Sequence, residues 1–272
     1  MALGSLAQRV VTALVLAAVL LPAFLLLPKD FGTALVTAFV LGAAWEWSAF
    51  LGTPGTAARA AYVAFLAAGM AATAAFGLAM SVAGPVLGVG LLWWVAAFAL
   101  LLRFPVAISP VGVATAGLLV LFPAWFAMLL LLHSPVYGRS LLLLVIAVTC
   151  AADVGAYFAG RRFGRVKLAP RVSPGKTWEG VLGGLVLAAI VAAFGAVWLD
   201  ASAGLGVLLG LSVGAISIVG DLTASMFKRS AGLKDSGNLF PGHGGILDRI
   251  DSLTAAAPLF VVVAGWLGWL GR

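Results

Sequence analysis

The chain has 272 residues, of which 63% are hydrophobic and only 9% charged, with a mean hydropathy of +1.17. A soluble domain carries about 45–50% apolar and about 25% charged residues, so a water-soluble fold is excluded and lipid is the solvent for most of this chain. The net charge of +7 rests on scattered Lys and Arg, which excludes a nucleic-acid face and suits membrane orientation and anionic ligands, while the lone Cys150 excludes an internal disulfide.

A spanning helix needs about 20 mostly apolar residues. The first predicted helix runs from Arg9 to Leu27 and stops at Pro28-Lys29-Asp30. No small-residue cleavage site followed by a polar mature domain is seen, so it reads as an uncleaved helix rather than a signal peptide. The second runs from Phe31 to about Leu51 and carries Glu46 between Trp45 and Trp47. Ala60 to Leu102 is 43 residues without a charge, too long for one span, and Gly84-Pro85 is the expected break between the third and fourth helices. The fifth is predicted from Val111 to Leu132, and the sixth from Ser140 to Gly160 with Asp153 inside it. Gly180 to Leu199, Ala203 to Phe227 and Ile250 to Leu270 complete the set. The expected fold class is therefore an all-α polytopic membrane protein of about nine transmembrane helices. Residues 1–135 read as N-terminal scaffold and lipid entry, and residues 136–272 as a catalytic transmembrane region with cytoplasmic loops 161–179 and 227–249.

Nine helices put the termini on opposite sides. With the N-terminus and the even-numbered loops together, 13 of the 16 basic residues share one side, leaving Lys29, Arg139 and Arg272 on the other. The basic side is then cytoplasmic, in the inner membrane. Glu46, Asp153, Asp221, Asp248 and Asp251 fall towards that side, where a carboxylate avoids the cost of mid-bilayer burial, about 2.5–3.5 kcal/mol on insertion scales.

Polar chemistry is concentrated in two segments. Residues 161–179 and 221–251 hold ten of the sixteen basic residues and five of the nine acids. Asp221, Ser225 and Lys228 stand at i, i+4 and i+7, so a carboxylate, a hydroxyl and an ammonium share one helical face. His243 lies among Gly242, Gly244 and Gly245, where the backbone can turn sharply and approach a ligand. Asp248 and Asp251 share a face at the start of the last helix. They suit the helix dipole. They also suit Mg²⁺, which takes one or two carboxylates plus substrate phosphates, with Asp221 and Asp248 as the leading ligands. Gly175-Lys176-Thr177 imitates a phosphate-binding loop, but Pro170 occupies the position of the required upstream glycine.

Ser225-Met-Phe-Lys228-Arg229, Lys234-Asp235-Ser-Gly237 and Phe240-Pro241-Gly-His243-Gly244-Gly245-Ile-Leu-Asp248-Arg249-Ile-Asp251 together resemble the signature of the phosphatidate cytidylyltransferases, the CDP-diacylglycerol synthases. Asp153-Val-Gly155-Ala-Tyr157 and Ser173-Pro-Gly175-Lys176-Thr177-Trp-Glu179-Gly180 resemble the same family, with Val154 departing from an expected hydroxyl residue. The resemblance covers roughly residues 150–255. It implies transfer of the cytidylyl group of CTP to phosphatidate with release of pyrophosphate, in phospholipid biosynthesis. It further implies Mg²⁺ as cofactor, held by Asp221 and Asp248 with Asp251 and Asp153 as second choices; a second metal or a monovalent cation is left open. Lys228, Arg229 and His243 join Asp221 and Asp248 as catalytic candidates, with Lys228 or Arg229 meeting the lipid headgroup and His243 meeting pyrophosphate or a carboxylate. Ser173, Lys176 and Thr177 precede a helix and are assigned to CTP phosphates, or to capping. Ser225, Lys234, Asp235, Gly244, Gly245 and Arg249 complete the substrate-binding set. A homodimer is implied, and Gly180–Gly184, Gly206–Gly210 and Gly210–Gly214 have the spacing of close helix contacts, within a chain or between two.

Three other readings are weighed. A transporter would show two related halves, whereas the polar residues crowd into the C-terminal half. A CDP-alcohol phosphotransferase needs an Asp-Gly dipeptide, which is absent. A CTP-dependent lipid kinase shares the composition and differs in taking a neutral alcohol as acceptor.

Overall fold

The computed structural model describes residues 18, 21–52, 55–75, 80–237, 239 and 244–271. Most of the predicted first helix, and His243, lie outside the described residues. A helical stretch at 21–26 leads into α1 (Lys29–Trp47), followed by a 3-10 turn (Ser48–Leu51), α2 (Thr56–Ala75), α3 (Met80–Leu102), α4 (Pro110–His133) and α5 (Gly138–Phe163). A short hairpin, β1 (Lys167–Ala169) and β2 (Ser173–Thr177), precedes α6 (Trp178–Trp198), α7 (Ala203–Ser230) and α8 (Leu247–Trp266).

Seven of these helices, α1 to α7, are long and apolar enough to cross a membrane, and the chain is an integral membrane protein. The predicted ninth helix is α8, which starts three residues earlier than expected and so takes Asp248 into its first turn. The expected break at Gly84-Pro85 is corrected: both residues lie inside α3. Pro85 is the sixth residue of that helix, where a missing N–H costs a single early backbone bond. Breaking the chain there would leave several backbone groups unpaired in lipid. Within the segment read as the loop 161–179, α5 runs on to Phe163, an antiparallel hairpin pairs Lys167 with Thr177 and Ala169 with Ser173, and α6 starts at Trp178.

Helix α4 is apolar on every side, and a helix of that kind belongs in the middle of a bundle. Phe126, Leu121, Leu129, Leu131 and Leu132 are fully enclosed. Trp47 closes α1 against it by donating to Val113 O at 2.9 Å, and its ring stacks 4.9 Å from Phe227 of α7. Trp125 Nε1 donates to Thr37 Oγ1 at 2.9 Å, so these two indole N–H groups have partners in the apolar interior.

The glycine pairs pack within the chain. A methyl group at Gly155 of α5 would stand 2.5 Å from Gly183 O, and one at Gly210 of α7 would stand 2.5 Å from Ala188 O of α6. Helices α5, α6 and α7 are therefore in backbone contact and present their C-terminal, N-terminal and C-terminal ends, respectively, at one edge of the bundle. The opposite edge collects Lys29, His133 and Arg139. There Thr33 Oγ1 lies 2.8 Å from His133 Nε2, and Arg139 donates to Leu25 O at 2.8 Å.

Candidate active site

The site edge is built from the end of α5, the hairpin, the end of α7 and the start of α8. Asp221 and Lys228 are seven positions apart on α7, two turns of one face. Gly220, beside Asp221, lets α8 come close: a methyl there would stand 2.6 Å from Asp251 O. This contact lays the first turns of α8 along the acidic face of α7.

Two ion pairs follow. Lys176 Nζ, carried by β2, lies 2.5 Å from Asp221 Oδ2, and Lys228 Nζ lies 2.5 Å from Asp248 Oδ1. The first pair is about one-quarter exposed and the second about one-tenth. Ser225 donates to Asp221 Oδ1 at 3.4 Å. Asp248 Oδ2 accepts the backbone N–H groups of Ser236 and Gly245, each at 3.0 Å. Burial works against the Asp248 carboxylate, but the Lys228 ammonium and these two amides prevail and hold it below the ordinary carboxylate value. Asp248 stands ahead of the apolar run of α8, at its loop end.

Behind the ion pairs sit two further acids. Asp251 is enclosed and lies within electrostatic reach of Asp221, Asp153, Lys228 and Lys176. Asp153 accepts from Ser252 Oγ at 3.4 Å. The four acids named from the sequence therefore converge on one region, together with Lys176 and Lys228. Among the described residues no group of three or more His, Cys, Asp or Glu forms a ready-made metal cage. Hard carboxylate oxygens in ones and twos fit an ion whose coordination is completed by phosphate, so the residues fit Mg²⁺.

Other predicted site residues take distinct places. Thr177 is the N-cap of α6: its Oγ1 accepts from Gly180 N at 3.2 Å, and the side chain is buried against Gly160 and Gly164. Ser173 opens β2 opposite Ala169. Arg229 is exposed and donates to Val172 O at 3.3 Å and to Leu233 O at 3.2 Å, so it joins the hairpin to the loop after α7. Arg249 is exposed in the first turn of α8. Lys234 and Asp235 are exposed, and Asp235 lines a separate cleft of about 700 Å³ against Trp45, Glu46 and Arg59. Gly244 has φ +78°, the left-handed region, and a methyl there would stand 2.5 Å from Asp248 Oδ2.

Sequence reading assigned no role to Glu46, Ser236 or Ser252. Glu46 is buried at the end of α1 and, among the described residues, accepts three hydrogen bonds from the loop after α7 and the start of α8: Ser236 Oγ at 2.7 Å, and Ile246 N and Leu247 N at 2.8 Å each. The available signal was an acid in an otherwise apolar helix, where an ionisable group marks a functional position by default.

A model of the cytidylyltransferase family matches residues 7–267. The chain is 46% identical to a phosphatidate cytidylyltransferase of Pseudomonas aeruginosa, covering 96% of this chain and 98% of that protein. It is 40% identical to one from Haemophilus influenzae over 93% of this chain and 96% of that protein. A Brucella suis protein of the same name is 47% identical over 45% of this chain and 46% of its own length. The chain belongs to the cytidylyltransferase family and is an enzyme of the nucleotidyltransferase class.

Proposed function

We propose that this chain transfers the cytidylyl group of CTP to phosphatidate, giving CDP-diacylglycerol and pyrophosphate, at the cytoplasmic face of the inner membrane. The observation that carries this reading is the convergence of Lys176–Asp221 and Lys228–Asp248 at one edge of a membrane bundle. Two cations from separate segments meet there at the helix ends, where a water-soluble triphosphate and a lipid phosphate can both arrive. The 13-to-3 division of basic residues supports a cytoplasmic position for that edge.

A phosphate oxygen of phosphatidate attacks the α-phosphorus of CTP. A new P–O bond forms, the bond to the bridging oxygen of pyrophosphate breaks, and the electron pair leaves with pyrophosphate. The nucleophile is already ionised near neutral pH, so no strong base is required. The obstacle is repulsion between two anions, and fixed cations act on it where water is scarce. Lys176 serves the CTP phosphates, and Lys228 serves the lipid phosphate. Asp221 and Asp248, with Asp251 and Asp153 behind them, would hold Mg²⁺, which when bound supplies charge neutralisation on the phosphoryl oxygens. Asp248 is aimed by its two amide donors, and the left-handed turn at Gly244 sets the direction of the Gly245 N–H beside it. His243 serves the departing pyrophosphate. The protein acts as a homodimer.

The test is an endpoint assay on detergent-purified protein with CTP, Mg²⁺ and phosphatidate micelles, following pyrophosphate and the lipid product by mass. CDP-diacylglycerol and pyrophosphate in equal amounts, lost on adding EDTA, is the expected result. CDP release that requires diacylglycerol or another lipid alcohol would overturn the reading in favour of a kinase.

A further inference from the structure

We infer that Glu46 is a positioning residue for the site, acting from the N-terminal half of the chain on the loop that aims Asp248. This role rests on the cytidylyltransferase reading for its kinetic effect, though not for its structural one. Glu46 Oε1 accepts from Ile246 N, while Oε2 accepts from Leu247 N and Ser236 Oγ. These donors lie partway along the loop after α7, at Ser236, and at its junction with α8, 190 to 201 positions along the chain from Glu46. One buried side chain therefore clasps the middle of the loop to the start of α8.

The connection to Asp248 is direct. Ser236 donates its hydroxyl to Glu46 and its backbone N–H to Asp248 Oδ2. Gly245, the second amide on Asp248, has its Cα packed against Glu46: an added methyl would meet Glu46 Oε2, and one on Gly237 would meet Oε1. Both amides that hold Asp248 thus rest on the Glu46 carboxyl group. Ile246 and Leu247 N–H are also donors with no intrahelical acceptor at the start of α8, so Glu46 sets where α8 begins. A buried side chain that is the shared acceptor of three donors is costly to lose, because each donor is left unsatisfied.

The test joins hydrogen exchange with kinetics on detergent-purified Glu46→Gln. The glutamine fills the same space but turns one acceptor oxygen into an NH₂ group facing N–H donors. Exchange across 234–247 is expected to rise at least tenfold while α5 and α7 keep their protection. In the same preparation kcat is expected to fall at least tenfold and KM for CTP to rise at least threefold. In Glu46→Gln that still elutes as a folded species, a rise in exchange spread equally over α5 and α7 would overturn the proposal. Unchanged exchange across 234–247 would overturn it as well, whatever the activity. If Glu46→Gln does not fold, Ser236→Ala removes one of the three bonds, and a smaller rise confined to 234–247 is expected. Ser236→Ala with wild-type exchange would count against the clasp. A loosened loop in a protein that proves inactive with CTP and phosphatidate would leave the clasp standing and refute the function instead.

Discussion

Lys228 of α7 and Asp248 of α8 form an ion pair at 2.5 Å across 20 positions of sequence, with each side chain about nine-tenths enclosed. Between them runs the glycine-rich loop, so the pair both closes that loop and presents charge at its mouth. Removing one partner from such a pair leaves a buried charge unmatched and costs about 3–5 kcal/mol.

Asp248→Asn is expected to abolish turnover while leaving protein that still inserts in the membrane and elutes as a single species. Its thermal midpoint in detergent should fall relative to wild type. Activity near wild type would remove Asp248 from the metal-binding role.

The pH dependence of that difference has a defined sign. Asp248 is held below its ordinary value, so its contribution to stability is fully present above the unfolded carboxylate range and is lost as pH falls through the lower folded value. The gap in thermal midpoint between wild type and Asp248→Asn should be constant above about pH 5 and shrink below about pH 4. Thermal scans of both proteins at stepped pH measure it.

Lys176→Ala should raise KM for CTP more than KM for phosphatidate, because the hairpin that carries Lys176 is assigned to the nucleotide. Steady-state kinetics with each substrate varied in turn decide the point. A change confined to the lipid would exchange the roles of the two polar segments.

Gly244→Ala and Gly175→Ala form a contrasting pair. Gly244 combines φ +78° with a methyl position 2.5 Å from Asp248 Oδ2, whereas a methyl on Gly175 meets nothing within 4 Å. The first substitution should destabilise by about 1–3 kcal/mol through backbone strain and reduce activity sharply. The second should leave the thermal midpoint unchanged.

Gly210→Val should destabilise the bundle by about 1–3 kcal/mol or more, since the added atoms are driven into Ala188 O and Ala189 Cα of α6. The thermal midpoint should fall with the oligomeric state unchanged, because this contact lies within one chain. Dissociation of an assembly as the first effect would contradict the packing.

The apolar spans were legible because lipid imposes a length and a composition that few other constraints mimic. The Asp221–Lys228 face was legible from helical spacing alone, and Asp248 followed once α7 and α8 were joined by a loop. Pro85 misled because a proline reads as a break wherever it stands, while a helix in lipid tolerates it near its start. The hairpin at 167–177 left little pattern, since its strands are three and five residues long. Glu46 could be flagged as a buried acid, but its donors lie some two hundred positions away. No local rule reaches that far. The glycine spacings announced close contacts without naming the partners, which only the assembled helices supply.

Arg229 adds a consequence for how the edge can move. Its guanidinium holds Val172 O of the hairpin and Leu233 O of the loop, segments about sixty residues apart. The two are riveted into a single lip, so a displacement of either drags the other. A substitution at Arg229 would therefore be felt in the kinetics of both reactants together, and lysine, with one compact charge in place of a planar fork, would not restore the rivet.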